Sequence, residues 1–74
     1  MGRMELTPQA AQALAVVRQT GRDVSYEVTE ICHSQRWRLS VRFVARSGER
    51  QRLGLLYSED RAALETLLAE LASA

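Results

Sequence analysis

The 74-residue sequence has few of the residues that crosslink small proteins. Cys32 is the only cysteine, so no disulfide can form within the chain, and no group of residues has the spacing of a zinc site. We therefore expect a fold that depends on its hydrophobic core, without a metal or a cofactor. A single cysteine also favours a reducing, cytoplasmic location.

Long apolar segments are absent as well. No run approaches the roughly 20 residues of a membrane span, and residues 1–6 lack the apolar core of a signal peptide. We expect no association with a membrane. Hydrophobic residues make up 46% of the chain and charged residues 26%, which is typical of a folded protein. The length predicts a single domain, residues 1–74.

Catalytic arrangements are also missing from the sequence. Cys32 and His33 are neighbours in the chain, so their side chains diverge if a strand continues through them, whereas a nucleophile and its base must converge. The sequence has no glycine-rich phosphate loop and no paired carboxylates. We predict no enzymatic activity and no catalytic residues.

Lysine is absent, and the ten basic residues, all arginine, are unevenly placed. Segment 36–52 carries six arginines and one glutamate, a net charge of +5, whereas the segments before and after it carry −1 and −3. The net charge of the whole chain is only +1, which argues against binding a polyanion by bulk charge. Any such binding is expected to depend on a local surface within 36–52.

The N-terminal part of the chain predicts a helix over about residues 8–19. Thr7 can cap its first free amides, and Pro8 suits the first helical position because its missing N–H has no partner there. Gly21 is expected to end the helix in a left-handed conformation. Apolar residues at helical spacing form one stripe for burial: Ala10, Ala13, Leu14 and Val17.

Three strands are predicted, over about residues 24–32, 36–45 and 50–57. In the first, Val24, Tyr26 and Val28 alternate with polar residues, which is the pattern of a half-buried strand. Residues 32–35 are expected to form the first turn. These strands are expected to pair in sequence order as an antiparallel meander.

The second turn sets the register of the hairpin. A three-residue loop over 46–48, with Gly48 left-handed as a bulge, pairs Val41 with Leu53 and Leu39 with Leu55. A two-residue loop over 47–48 would instead pair apolar with charged residues. Because a slip of one residue inverts every side chain, the three-residue loop is favoured.

The hairpin is then predicted to have two faces of opposite chemistry. Eight residues are predicted to face inward, and all but one of them are apolar or aromatic: Trp37, Leu39, Val41, Phe43, Gln51, Leu53, Leu55 and Tyr57. Of the aromatic residues, only Tyr57, near the sheet edge, is a candidate for partial exposure. The arginines face outward or lie in the turn. They are the candidate residues for binding nucleic acid or an acidic partner: Arg36, Arg38, Arg42, Arg46, Arg50 and Arg52.

A second helix is predicted over about residues 59–72. Ser58 is expected to cap it, with Glu59 and Asp60 in a first turn where carboxylates complement the helix dipole. A leucine stripe should pack this helix on the sheet: Leu64, Leu67, Leu68 and Leu71. The predicted fold class is α+β: two layers, a three-stranded antiparallel meander with both helices on one face, in the order αβββα.

The arginine cluster has two interpretations. Arg42 is expected opposite Arg52, where like charges cost stability, and Glu27 could turn the cluster into a cross-strand ion network. Alternatively, the arginines bind phosphates or carboxylates, which the planar guanidinium group recognises well. The sequence leaves both open.

The predicted function is a small, non-enzymatic binding module whose arginine face engages an acidic partner, with nucleic acid as the first candidate. The alternative is a protein-interaction module or small inhibitor, acting alone or as a homodimer, that docks through its uncovered sheet face or an edge strand. In a third interpretation the arginine face is inert and the helical surface makes the interaction.

The predicted order of elements resembles a double-stranded-RNA-binding domain. Tyr26-Glu27 in strand 1, the segment His33 to Trp37, and Ser58 at the start of helix 2 are similar to elements of that family. The resemblance implies that His33 contacts a minor groove. It departs from the family at Glu59, Asp60 and Ala63, which stand where lysines contact phosphates, so that classical duplex-RNA binding is not expected.

Residues 37–71 also resemble the arm-type DNA-binding domain of integrases. The resemblance is carried by an arginine-bearing hairpin, a Ser-Gly turn and an amphipathic helix. It implies that the sheet face enters the major groove of DNA. The residues involved would be Arg38, Arg42, Arg50 and Arg52.

Overall fold

A computed structural model describes residues 4–73. It has the elements α1 (Pro8–Thr20), β1 (Arg22–Glu30), β2 (Trp37–Val44), β3 (Arg50–Ser58) and α2 (Arg61–Ala72). The strands form one antiparallel sheet in the order β1-β2-β3, and both helices contribute to a core on one face of it. The predicted α+β fold class is confirmed. Within residues 4–73, neither helix is long and apolar enough to cross a membrane.

The core lies between the sheet and the two helices. Leu14 and Val17 of α1 and Leu64 and Leu67 of α2 are buried, as the two apolar stripes predicted. The sheet adds the buried residues Leu39, Val41 and Leu55. The partly buried aromatic residues Tyr26, Trp37 and Phe43 pack around this cluster, as expected. The inward face of the sheet is therefore used for stability.

α1 starts as predicted and ends differently. The Thr7 hydroxyl accepts a hydrogen bond from the Ala10 N–H at 3.1 Å. Gly21, however, has φ −90° and ψ 161°, an extended conformation, so the predicted left-handed stop is wrong. The glycine is needed for space, because a Cβ atom there would lie 2.8 Å from the Val17 carbonyl oxygen and 3.0 Å from Phe43 Cδ2. The chain thus passes directly from α1 into β1.

β1 begins at Arg22, before the predicted start, and contains a bulge. Asp23 has a φ of 53°, and the pairing with β2 shifts between Arg22 and Ser25. Arg22 lies opposite Val44, and Ser25 lies opposite Arg42. Residues directly opposite each other point to the same side of a sheet. The bulge therefore puts Arg22 and Ser25 on one face although they are three residues apart.

The turn between β1 and β2 contains two successive left-handed residues, Cys32 with φ 43° and His33 with φ 58°. The Ser34 N–H donates to the Ile31 carbonyl at 2.8 Å. Two left-handed central residues are the pattern of a type I′ turn, here within the four-residue loop that the Ile31 N–H closes by donating to the Arg36 carbonyl at 3.0 Å. Arg36 follows in this loop and lies outside β2.

The turn between β2 and β3 agrees with the prediction. Gly48 is left-handed, with a φ of 91°, and its N–H donates to the Ala45 carbonyl at 2.9 Å. The Ala45 N–H in turn donates to the Glu49 carbonyl at 2.8 Å. The three-residue loop therefore sets the predicted pairing at this end of the hairpin, including Arg42 opposite Arg52.

The predicted pairing of Leu39 with Leu55 is wrong. After the pair Ser40 and Gly54 the register shifts, so that Leu39 lies opposite Leu56 and Leu55 is an extra residue. The bulge lets two consecutive leucines reach the core, since Leu55 is buried and Leu56 packs against the buried cluster. It also reverses the direction of the next side chain. Tyr57 pairs with Arg38 and points outward.

The start of α2 also differs from the prediction. Its cap is Asp60, whose carboxylate accepts a hydrogen bond from the Ala63 N–H at 3.1 Å. Ser58 remains in β3 opposite Trp37, and its hydroxyl accepts from the Asp60 N–H at 3.0 Å. Glu59 and Asp60 thus precede the first turn instead of lying in it. The resemblance to double-stranded-RNA-binding domains implied that Ser58 opens helix 2, and this is wrong.

Candidate functional site

The candidate site is the open face, which we define as the side of the sheet opposite the core. Its members follow from the register and include five arginines and one glutamate. In the part of the chain that the structure describes, neither helix packs on this face. The members are Arg22, Ser25, Glu27 and Thr29 of β1, Arg38, Ser40, Arg42 and Val44 of β2, and Arg50, Arg52, Gly54 and Tyr57 of β3.

The structure brings four of the six candidate arginines together. Arg38, Arg42, Arg50 and Arg52 lie on β2 and β3 with their side chains on the open face. Arg36 and Arg46 lie in the two loops at opposite ends of the hairpin, so they are not part of the face. The binding residues predicted from the sequence thus divide into a compact group and two separate loop residues.

Arg42 and Arg52 lie opposite each other at the centre of the hairpin and share one carboxylate. Arg52 Nε is 3.0 Å from Glu27 Oε1, and Arg42 Nη1 is 3.9 Å from Glu27 Oε2. The closer contact is an ion pair without the alignment of a hydrogen bond. The cross-strand ion network expected from the sequence is therefore present. About half of each arginine side chain, 52% and 47%, stays exposed.

The other arginines of the open face are not neutralised in this way. Among residues 4–73, no carboxylate lies within 4.0 Å of the guanidinium groups of Arg22, Arg38 or Arg50. The face therefore carries five arginines and one glutamate, which pairs with only two of them. The excess positive charge is concentrated on β2, β3 and the start of β1.

Below the guanidinium groups, the open face is polar rather than apolar. Thr29 Oγ1, Arg38 Nε and Ser40 Oγ are buried and have no hydrogen-bond partner among the described residues. Thr29 lies directly opposite Arg38, and Ser40 lies opposite Glu27. Ser40 has 0% exposure because it lies on the central strand between longer side chains. These buried atoms lack the hydrogen-bond partners that buried polar groups normally have.

Tyr57 is the only large aromatic side chain on the open face. Half of it, 51%, is exposed. A Cβ atom on Gly54 would lie 2.7 Å from Tyr57 Oη, 3.4 Å from Tyr57 Cζ and 3.4 Å from Arg38 Cδ. The tyrosine therefore lies across the backbone of Gly54, beside the stem of Arg38. An aromatic ring and a cation are thus adjacent at one end of the face.

A shallow depression of about 230 Å³ lies at the other end, next to the β2–β3 loop. Arg42 and Arg50 supply its positive charge, and Asp23 of the β1 bulge supplies a negative one. Ser25 and Gln51 add neutral polar groups. The depression can accommodate a small anionic group beside the two arginines, although Asp23 limits the local charge.

Two members of the open face were missed by sequence reasoning, Arg22 and Tyr57. Both are placed there by bulges, which break the simple alternation of side chains. The signal for the second bulge is present in the sequence, because an isolated glycine in a strand, here Gly54, followed by two leucines is typical of a bulge. Asp23, which tolerates the left-handed conformation, is a weaker signal for the first.

Cys32 and His33 do not form a site with other residues. Both are exposed in the β1–β2 turn. No group of three or more histidine, cysteine, aspartate or glutamate side chains within residues 4–73 could hold a metal ion. The minor-groove contact that the resemblance implied for His33 stays a prediction, as this residue lies in a loop and not on the open face.

Comparisons with known proteins do not place the chain in a family. No family model matches it, no curated protein matches it, and no solved structure matches it. The resemblances to double-stranded-RNA-binding domains and to arm-type DNA-binding domains therefore stay predictions.

Proposed function

We propose that this protein is a non-enzymatic module that binds nucleic acid through the open face. The observation that carries the proposal is the collection of five arginines, with one carboxylate, on a sheet face that the helices leave uncovered. A guanidinium group presents five donors in a planar fork and binds phosphate by charge-assisted, bidentate hydrogen bonds. Several such groups on one face fit a ligand with repeated phosphates.

The placement of negative charge supports the same face. Asp60, Glu65 and Glu70 lie on or next to α2, in the other layer of the molecule. A polyanion would be repelled from that layer and attracted to the sheet. For this reason we assign binding to the sheet face, which is the binding surface implied by the resemblance to arm-type domains. The second helix, which double-stranded-RNA-binding domains use, is not part of the proposed site.

A protein partner with an acidic surface is the second candidate. Tyrosine and arginine are both enriched among residues that dominate protein interfaces, and both occur here as Tyr57 and Arg38. The scarcity of apolar side chains on this face weighs against this candidate, since the centres of protein interfaces are more apolar than the rest of the surface. Salt dependence separates the two, because phosphate contacts are lost steeply as salt rises.

The test is fluorescence anisotropy of labelled DNA and RNA, single-stranded and duplex, at about 50 and 200 mM salt. If Arg38, Arg42, Arg50 and Arg52 each meet a phosphate of a single strand, affinity should fall about 50-fold over this range. The double variant Arg42→Ser, Arg52→Ser should bind more weakly and reduce the slope of log affinity against log salt by about 1.4.

The matched control is the double variant Arg36→Ser, Arg46→Ser. It removes the same charge from the two loops and should change the affinity much less. Equal losses in the two double variants would mean that net charge, not the open face, governs binding. If the native protein binds none of the four ligands at about 50 mM salt, the proposal is wrong and a protein partner becomes the working hypothesis.

A further inference from the structure

The position of Tyr57 on the open face has a structural cause. In a regular strand its odd position would turn it toward the core, together with Leu53 and Leu55. The bulge at Leu55 reverses this direction and sets Tyr57 opposite Arg38. A large, half-exposed aromatic ring therefore lies among arginines on a surface that is otherwise polar.

The hydroxyl end of the ring lies close to the backbone of β3. Its Oη and Cζ atoms lie so close to Gly54 that a Cβ atom there would be 2.7 Å and 3.4 Å away. The hydroxyl end of the tyrosine is thus against the backbone of Gly54, and 51% of the residue remains exposed. The Tyr57 hydroxyl makes no hydrogen bond with the described residues, and the ring is the largest apolar group that this face exposes.

We infer that Tyr57 is a stacking platform for a base and that the open face selects single-stranded over duplex nucleic acid. This inference rests on the proposed function and specifies its ligand. Aromatic side chains stack on bases that are unpaired, because the faces of paired bases are covered by their neighbours in a duplex. A duplex could meet the arginines but not the ring.

The spacing of the face fits a short single strand. Arg38, beside Tyr57, and Arg42, opposite Arg52, are four residues apart on β2, which is about 13 Å along the strand. At a stacked spacing of about 3.4 Å per nucleotide, this distance spans up to about four nucleotides. One base can therefore stack on Tyr57 while phosphates further along reach Arg42, Arg50 and Arg52.

The first test compares a single-stranded oligonucleotide with the duplex of the same sequence. Native protein should bind the single strand more tightly. Tyr57→Ser should weaken single-strand binding by about 5-fold to about 140-fold, the effect of removing one aromatic stack. Its salt slope should stay unchanged, because no phosphate contact is lost. Tyr57→Phe, which keeps the ring, should bind like the native protein, and so should Val16→Ser on α1, the matched exposed apolar control.

A second variant moves the ring without removing it. In Gly54→Ala the new Cβ atom would displace the hydroxyl end of Tyr57, which can shift because it is the far end of an exposed side chain. Single-strand binding should weaken while the thermal unfolding curve stays close to that of the native protein. This variant keeps the inference testable if Tyr57→Ser lowers the stability of the fold.

The two hypotheses fail differently. If both Tyr57→Ser and Gly54→Ala bind the single strand as the native protein does, or lose single-strand and duplex binding equally, the stacking inference is wrong. Loss of binding in the Arg42→Ser, Arg52→Ser variant would then still support the proposed function. If the native protein binds neither the single strand nor the duplex, the proposed function is wrong, and the stacking inference that rests on it is wrong as well.

Discussion

At the scale of single residues, Glu27 has the most consequential position on the open face. Its carboxylate lies between Arg42 and Arg52, where it reduces the repulsion of two cations placed opposite each other on neighbouring strands. Such cross-strand terms are worth roughly 0.2 to 1 kcal/mol. A phosphate that approaches the same two guanidinium groups meets Glu27 as a competitor. We therefore expect Glu27 to stabilise the free protein and, under the proposed function, to oppose binding.

Replacing this carboxylate by an amide separates the two effects. We expect Glu27→Gln to strengthen nucleic-acid binding and to lower the free energy of unfolding by at most about 1 kcal/mol, since the pair is only partly buried. Anisotropy titrations and urea denaturation measure the two quantities. Glu65→Gln is the matched control, because it breaks the exposed pair with Arg61 on α2 and removes the same charge away from the face.

Two outcomes of the Glu27→Gln titration would contradict this expectation. Equal strengthening by Glu27→Gln and Glu65→Gln would mean that the ligand responds to net charge alone. Weaker binding by Glu27→Gln would mean that the carboxylate orients Arg42 and Arg52 for the ligand. Either result would contradict the role of Glu27 as a competitor.

At the scale of elements, periodicity predicts helices and strands well but does not predict bulges and caps. The stripes on α1 and α2, the left-handed Gly48 and the pairing of Arg42 with Arg52 follow from periodicity and turn chemistry, and the structure confirms them. The direction of Tyr57 does not follow. It depends on a register shift that is favoured by burial of both Leu55 and Leu56, which is a tertiary effect.

Gly21 and Ser58 show the same limit for the ends of elements. Gly21 suggested a left-handed stop, but its role is to leave room for Phe43, a contact distant in sequence. Ser58 had the chemistry of a cap, but β3 continues through it, and Asp60, two residues later, has similar chemistry. Local sequence thus offers several suitable residues, and the length of the neighbouring strand decides which is used.

The assignment of the α2 cap can be tested directly. Asp60→Ala should destabilise the protein by about 1 kcal/mol, because the Ala63 N–H loses its partner. Ser58→Ala should cost less, since its hydroxyl makes only a local hydrogen bond to the Asp60 N–H. Urea denaturation of both variants measures the difference. A larger loss of unfolding free energy in Ser58→Ala than in Asp60→Ala would show that Ser58 is the cap, as the sequence predicted.

At the scale of the whole molecule, one side chain connects both helices and the sheet. Arg18, in the last turn of α1, donates to Tyr26 Oη of β1 at 3.1 and 2.9 Å and to the Leu71 carbonyl of α2 at 3.1 Å. It therefore adds a donor to a carbonyl in the last turn of α2, to which the Ser73 N–H also donates. In this way one arginine serves the structure of the core layer while those of the open face remain available for a ligand.

Because only one face of the sheet is covered by the helices, the stability of the protein depends on the small core on that face. With no disulfide available in the sequence, folding depends on a few buried leucines and valines, and a protein of 74 residues is stable by roughly 4 to 11 kcal/mol. Leu64 is fully buried beneath α2, so Leu64→Ala should cost about 2 to 5 kcal/mol, a large part of that stability. Leu68→Ala, at a partly buried position of the same helix, should cost less. Urea denaturation again measures both. A loss within about 0.5 kcal/mol for Leu64→Ala, the usual range for surface positions, would contradict the packing of α2 on the sheet and the assignment of the opposite face as the open one.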